Sequence, residues 1–173
     1  WLTTVYPTQC KGDASRVARE LAPFFQRTVC AGGDGTLSEA VAGLMDVKDP
    51  PLLGYIPLGS TNDCATTLNL PKSPAKAAAI AAGEGIACPS DIGRLNGRSF
   101  VYVAAFGAFT KVSYDTPQDL KNTFGHLAYI MEGIASLPTI KPYHLKVEYD
   151  GNVIEDDFFF GMVSNALSIG GIQ

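Results

Sequence analysis

Short apolar runs alternate with amphipathic stretches through the first half of the chain. Residues 2–6 read as a strand, 13–25 as a helix, 28–31 as a strand and 37–45 as a helix. The alternation continues with a strand-like run at 52–57 and helix-compatible stretches at 64–68 and 74–82. Apolar runs closed by glycine or proline suit buried parallel strands, and the amphipathic stretches between them suit crossover helices. This is the rhythm of an α/β fold. Near residue 93 the pattern changes: residues 99–105, 143–149, 153–155 and 158–164 all read as strands, and Asp150-Gly151 reads as a hairpin turn. Only residues 125–137 carry an apolar helical stripe there. The expected organisation is an α/β domain over residues 1–94 and a β-rich domain over 95–173.

Two strand-to-helix passages in the first half carry polar chemistry. Residues 28–31 lead into Gly32-Gly33-Asp34-Gly35-Thr36. Glycines let backbone N–H groups approach an anion there, and the next helix points its positive dipole end at it. Asp34 is the anomaly, because a bare carboxylate repels phosphate unless a cation stands between them. It points to Mg²⁺, directly or through water, and to nucleotide phosphate chemistry. The plainer reading is a tight turn with Asp34 as a helix N-cap. The second passage, Leu58-Gly59-Ser60-Thr61-Asn62-Asp63, again ends a strand in glycine, hydroxyls and a carboxylate. Successive strand ends of a parallel sheet lie side by side, so both loops are expected at one crevice.

Composition narrows the classes. The chain's 173 residues suffice for a core, and no apolar run approaches the ~18 residues that span a bilayer. A net charge of -4 argues against broad binding to nucleic acid. Cys10, Cys30, Cys64 and Cys88 are too scattered for a zinc or redox motif and read as free thiols of a reducing cytosol. His126 and His144 have no evident catalytic partner. Asp13 is expected to cap the helix over 13–25. Neither a Gly-x-Gly-x-x-Gly fingerprint nor a Gly-Lys-Ser/Thr closure is present.

The residues from Cys30 through Gly32-Gly33-Asp34-Gly35-Thr36-Leu37-Ser38-Glu39, followed by Pro57-Leu58-Gly59-Ser60-Thr61-Asn62-Asp63, resemble the diacylglycerol kinase catalytic domain. Sphingosine, ceramide and bacterial lipid kinases share that family. The resemblance continues through Asp91-Ile92-Gly93 and residues 113–117, 125–129 and 147–152, on the pattern of the soluble bacterial diacylglycerol kinases. It implies an α/β fold of the NAD kinase/diacylglycerol kinase type, a nucleotide-binding domain followed by part of a β-rich (β-sandwich) domain. It also implies ATP and Mg²⁺, with ATP approached by Thr8, Gly33, Asp34, Gly35, Thr36, Leu37, Ser38, Glu39 and Ser60. Asp34, Asp63 and Asp91 would organise Mg²⁺ through water. Ser38 stands where the family usually has asparagine and Ser60 where it has threonine.

The implied reaction is transfer of the ATP γ-phosphoryl group to a lipid hydroxyl, with diacylglycerol giving phosphatidic acid. The family's catalytic base is an aspartate of a later Asp-Gly motif, expected downstream of Gln173. The chain therefore resembles a middle fragment, also lacking the family's first strand, and is expected to be inactive alone. A lipid substrate, peripheral contact with the membrane surface and a cytoplasmic location follow from the resemblance, with a homodimer among the assemblies open to it. Phe106, Phe109, Tyr129, Ile130 and Met131 could wall an acyl-chain cleft, although the plainer reading of each is core. Two other functions stay open: a NAD kinase-type small-molecule kinase, since NAD kinases and phosphofructokinases share Gly-Gly-Asp-Gly, and a nucleotide-binding regulatory module without catalysis.

Overall fold

The computed structural model describes residues 2–107 and 141–165. The helical stripe expected over 125–137, the resemblance at 113–117, and Phe109, His126, Tyr129, Ile130 and Met131 lie outside the described residues. The chain divides into two compact units, Trp1–Val103 with Ser164–Gln173, and Ala104–Val163.

In the first unit, helix α1 (Asp13–Leu21) runs into a 3₁₀ turn, Ala22–Phe24. Strand β1 (Arg27–Gly32), helix α2 (Asp34–Leu44) and strand β2 (Leu52–Pro57) then form a β-α-β unit. The two strands are parallel, with Cys30 opposite Tyr55 and Gly32 opposite Pro57. Leu37, Ala40, Val41 and Leu44 recur at helical spacing and are buried. Leu37, Ala40 and Val41 cluster with Cys30 and Tyr55 of the sheet and with Cys64 and Ala65 of helix α3 (Asp63–Thr67). Ala18 and Ala22 meet Leu44, and α1 lies so close to α2 that a Cβ on Gly43 would strike the Ser15 carbonyl.

Neighbouring residues of a strand face opposite sides. Accordingly Gly54, next to the core-facing Tyr55, lies against Ala81, where a Cβ would come within 2.7 Å of the Ala81 methyl. Ala81 belongs to a π turn, Ile80–Glu84, that follows helix α4 (Pro74–Ala79). Arg27 Nη1 ties β1 to the same turn through the Ala81 carbonyl at 2.9 Å. The sheet is thus covered on both faces, as parallel strands require.

The structure departs from the sequence pattern in three places. Residues 2–6 do not form a strand: Leu2 is 99% exposed and Val5 82%, and an apolar run without a ladder partner has nothing to make it a strand. The expected strand over 99–105 is two strands, β4 (Arg98–Phe100) and β5 (Val103–Gly107), and β4 pairs antiparallel with a short β3 (Gly93–Leu95). The turn between β3 and β4 is Asn96-Gly97, both at positive φ (48° and 79°), the chemistry of a tight hairpin. Helix 74–82 keeps its α form only to Ala79.

The described part of the second unit is all strand. β6 (Tyr143–Tyr149) and β7 (Asn152–Phe158) form an antiparallel hairpin about Asp150-Gly151, and β5 pairs with β8 (Phe160–Ser164). Phe106 meets the Tyr143 ring edge-on at 5.7 Å between centroids. No helix among the described residues is long and apolar enough to cross a membrane.

Candidate functional site

The in-register pairing of β1 and β2 delivers the two polar loops side by side, and three successive contacts join them. The Leu58 N–H donates to the Gly32 carbonyl at 2.8 Å, one step beyond the ladder. Gly33 and Gly59 then meet backbone to backbone, so closely that a Cβ on Gly59 would lie 2.6 Å from the Gly33 Cα. Last, the Asp34 carboxylate reaches across to the start of α3: Oδ2 accepts from the Asp63 N–H at 3.0 Å and Oδ1 from the Cys64 N–H at 3.1 Å. Two of the motif glycines are therefore required by the approach of one loop to the other.

Asn62 shapes the second loop. It adopts the left-handed conformation (φ 55°, ψ 50°), which asparagine tolerates better than most residues. Its carboxamide closes the turn, with Oδ1 accepting from the Gly59 N–H at 2.8 Å and Nδ2 donating to the Gly59 carbonyl at 2.7 Å. The Tyr55 hydroxyl donates to the same Oδ1 at 3.4 Å. Asn62 is absent from the residues singled out by sequence as nucleotide contacts. Its signal was an asparagine three residues after a loop glycine, the spacing of a side chain that bonds its own turn.

The remaining expected contacts fall into different settings. Gly35 is exposed, and a Cβ there would meet nothing within 4 Å. Gly33 is the N-cap residue of α2, and no side chain caps that helix. Thr36 folds back over Gly32. Leu37 is spent on structure, with its side chain in the core and its N–H on the Gly33 carbonyl at 3.0 Å. Ser38 and Glu39 are half-buried in the first turns of α2, and Ser60 is exposed in the second loop.

Thr8 lies in an exposed segment without regular secondary structure. That segment is held from α1: Asp13 Oδ2 accepts the Gln9 N–H at 3.0 Å, Asp13 pairs with Arg16 at 2.6 Å, and Arg16 donates to the Tyr6 hydroxyl at 2.8 Å. Asp13 is not the N-cap expected from the sequence. Gly12, at φ 85°, takes the cap position and Asp13 is the first helical residue, turned back toward Gln9. The Gln9 N–H, then Arg16, hold its carboxyl below the usual range.

The three aspartates expected to organise Mg²⁺ through water sit in different settings. Asp34 is engaged by two backbone amides, Asp63 is buried at the start of α3, and Asp91 is exposed. Asp91 lines a cleft of about 60 Å³ with Cys64, Thr67 and Asn165, far smaller than a nucleotide pocket. Its backbone carbonyl accepts from Asn165 Nδ2 at 2.6 Å. Among the described residues no three His, Cys, Asp or Glu side chains are grouped to hold a metal, so these residues do not fit a direct Mg²⁺ ligand set.

Electrostatically, the site floor is protonated. Burial, with the nearby Asp34 charge, raises the Tyr55 hydroxyl well above its ordinary range and pushes the Cys64 thiol up to about 12; burial alone takes Cys30 to about 11. Both thiols stay neutral at physiological pH and serve as small apolar packing groups. All four cysteines are free thiols.

The sequence profile of the Diacylglycerol kinase catalytic domain matches residues 2–95. The chain is 39% identical over 172 residues to a diacylglycerol kinase of Bacillus subtilis (strain 168), covering 99% of this chain and 57% of that protein. It is 39% identical over 167 residues to a diacylglycerol kinase of Staphylococcus aureus (strain JH9), covering 94% and 53%. A crystal structure of a diacylglycerol kinase from Bacillus anthracis str. Sterne superposes with a TM-score of 0.74 at 31% identity, covering 95% of this chain and 53% of that one. The chain thus spans about half the length of the relatives it matches. Its fold is theirs: an NAD kinase-like α/β unit followed by a strand-rich region.

Proposed function

Because this chain belongs to the diacylglycerol kinase catalytic domain family, we propose that it forms the nucleotide-binding part of an ATP-dependent lipid kinase, which moves the γ-phosphoryl group to a lipid hydroxyl and converts diacylglycerol to phosphatidic acid. The observation that carries this reading is the joined pair of loops beside the N-terminus of α2, a helix of 11 residues with no side-chain cap. The first-turn amides of such a helix have no intrahelical acceptor and carry the positive end of its dipole, which suits a polyphosphate. Gly35 leaves the approach open, and the Ser60 hydroxyl is exposed in the adjoining loop.

Those residues bind and orient the donor. Catalysis in phosphoryl transfer rests chiefly on such positioning and on neutralising charge. The hydroxyl of the acceptor loses its proton to a base, and we assign that role to no residue of this chain. The lipid acceptor implies work at a membrane surface, and the ATP donor places that work on the cytoplasmic side.

The test uses the full-length parent polypeptide with γ-labelled ATP and a panel of lipid hydroxyls, with NAD and fructose 6-phosphate as controls. Label in diacylglycerol is the expected result. Label in NAD or the sugar phosphate, or in nothing, rules the proposal out. Gly35→Val tests the site itself: the position has room for a side chain, so the melting temperature should hold while KM for ATP rises about tenfold, a loss of ~1.4 kcal/mol of binding.

A further inference from the structure

Building on that reading of the site, we infer that Asp34 is a positioning residue that locks the second loop onto the first, and is not a ligand of the metal that accompanies the nucleotide. Its two carboxylate oxygens are turned to the Asp63 and Cys64 amides, 29 and 30 residues away. Those amides open a helix of only five residues. Its first N–H groups have no intrahelical acceptor, and so short a helix is not stable by itself. Asp34 supplies a charged acceptor to both of them, a cap provided from a different element.

The place of this contact in the sequence of contacts gives it its effect. The segment from Gly59 to Asn62, which carries Ser60, begins at the Gly33–Gly59 approach and ends where Asp34 grips α3. Asn62 closes the turn from inside through Gly59. Asp34 ties the far end of the segment to the first loop, so the position of Ser60 relative to Gly35 is set from both ends. Mg²⁺ bound directly demands near-octahedral oxygen geometry. A carboxylate oriented by two amide donors, in a place where no further pair of acidic side chains is grouped with it among the described residues, is arranged for the amides.

The test uses Asp34→Ala and Asp34→Asn in the full-length protein, with two readouts. Amide hydrogen exchange at Asp63 and Cys64 should accelerate about tenfold or more in Asp34→Ala, the size expected for losing a charge-assisted hydrogen bond. In Asp34→Asn the carboxamide keeps one acceptor and presents N–H groups to the other donor, so one of the two amides should be deprotected; this variant keeps the shape and reports if the alanine variant fails to fold. The second readout is the free Mg²⁺ giving half-maximal ATP turnover, which should stay unchanged while KM for ATP rises. Unchanged exchange at both amides overturns the inference. So does a tenfold rise in the Mg²⁺ requirement, with or without faster exchange, because it assigns Asp34 to the metal. The two proposals fail separately: a wild-type protein that binds no nucleotide removes the kinase reading, and exchange alone then decides whether Asp34 is the lock.

Discussion

His144 on β6 has two carboxylates of β7 within reach: Nδ1 lies 2.9 Å from Asp157 and Nε2 3.4 Å from Glu155. The Asp157 bond, then the Glu155 bond, raise its pKa above 6.5. A raised folded-state pKa means the pairing is fully present below the unfolded value near 6.5 and is lost as pH rises through the folded value. The ring titration followed by NMR should have a midpoint above 6.5, moving down in Asp157→Asn; a wild-type midpoint at or below 6.5 contradicts the pairing. The imidazole is exposed, so the effect on overall stability is small. No partner for this histidine was legible in the sequence, because Asp157 is opposite it only through the hairpin register, His144 to Asp157. The same limit applied to Asp34. Its oddness among glycines was legible from charge alone, whereas its engagement with Asp63 and Cys64 depends on how β1 and β2 align.

At the scale of elements, the close α1–α2 contact depends on side chains that are missing or minimal. Ala14, Ala18 and Ala22 are buried on α1 and its 3₁₀ continuation, and Gly43 lies on α2 with the Ser15 carbonyl directly above it. Gly43→Ala should therefore destabilise the protein by about 1–3 kcal/mol, since the obstacle is backbone and the helices must part to admit a methyl group. Urea unfolding of that variant beside Gly35→Ala, which fills open space, checks this; equal midpoints would show that the helices separate freely. The helices and strands of the first half were readable because their apolar periods are unambiguous over Leu37 to Leu44 and over Leu52 to Pro57. The failures were of two kinds. Residues 2–6 have strand composition but no ladder partner, and composition does not supply one. The β3–β4 hairpin was hidden by strands of three residues each, although Asn96-Gly97 was the available clue.

For the whole molecule, the sequence pattern turns strand-rich near residue 93, and among the described residues every regular element from β3 onward is a strand. The path of the chain afterwards was not visible, because pairing between distant segments leaves little mark on local pattern. The chain leaves the first compact unit at Val103 and rejoins it at Ser164. There the Asn165 N–H donates to the Tyr102 carbonyl at 2.7 Å, and Asn165 Nδ2 reaches the Asp91 and Val101 carbonyls. The first unit is thus assembled from two stretches of sequence, with the exit and return tied together by Asn165 and by the β5–β8 pairing.

That arrangement makes this protein a natural subject for fragment complementation. A break at the exposed Asp150-Gly151 turn yields two polypeptides that each carry one strand of β6–β7 and one of β5–β8. Expressed together with a tag on one piece only, the halves should co-purify. Asn165→Ala should weaken their association by removing the side-chain bonds to Asp91 and Val101, and halves that never co-purify would show that covalent continuity, and not strand pairing, keeps the two halves together.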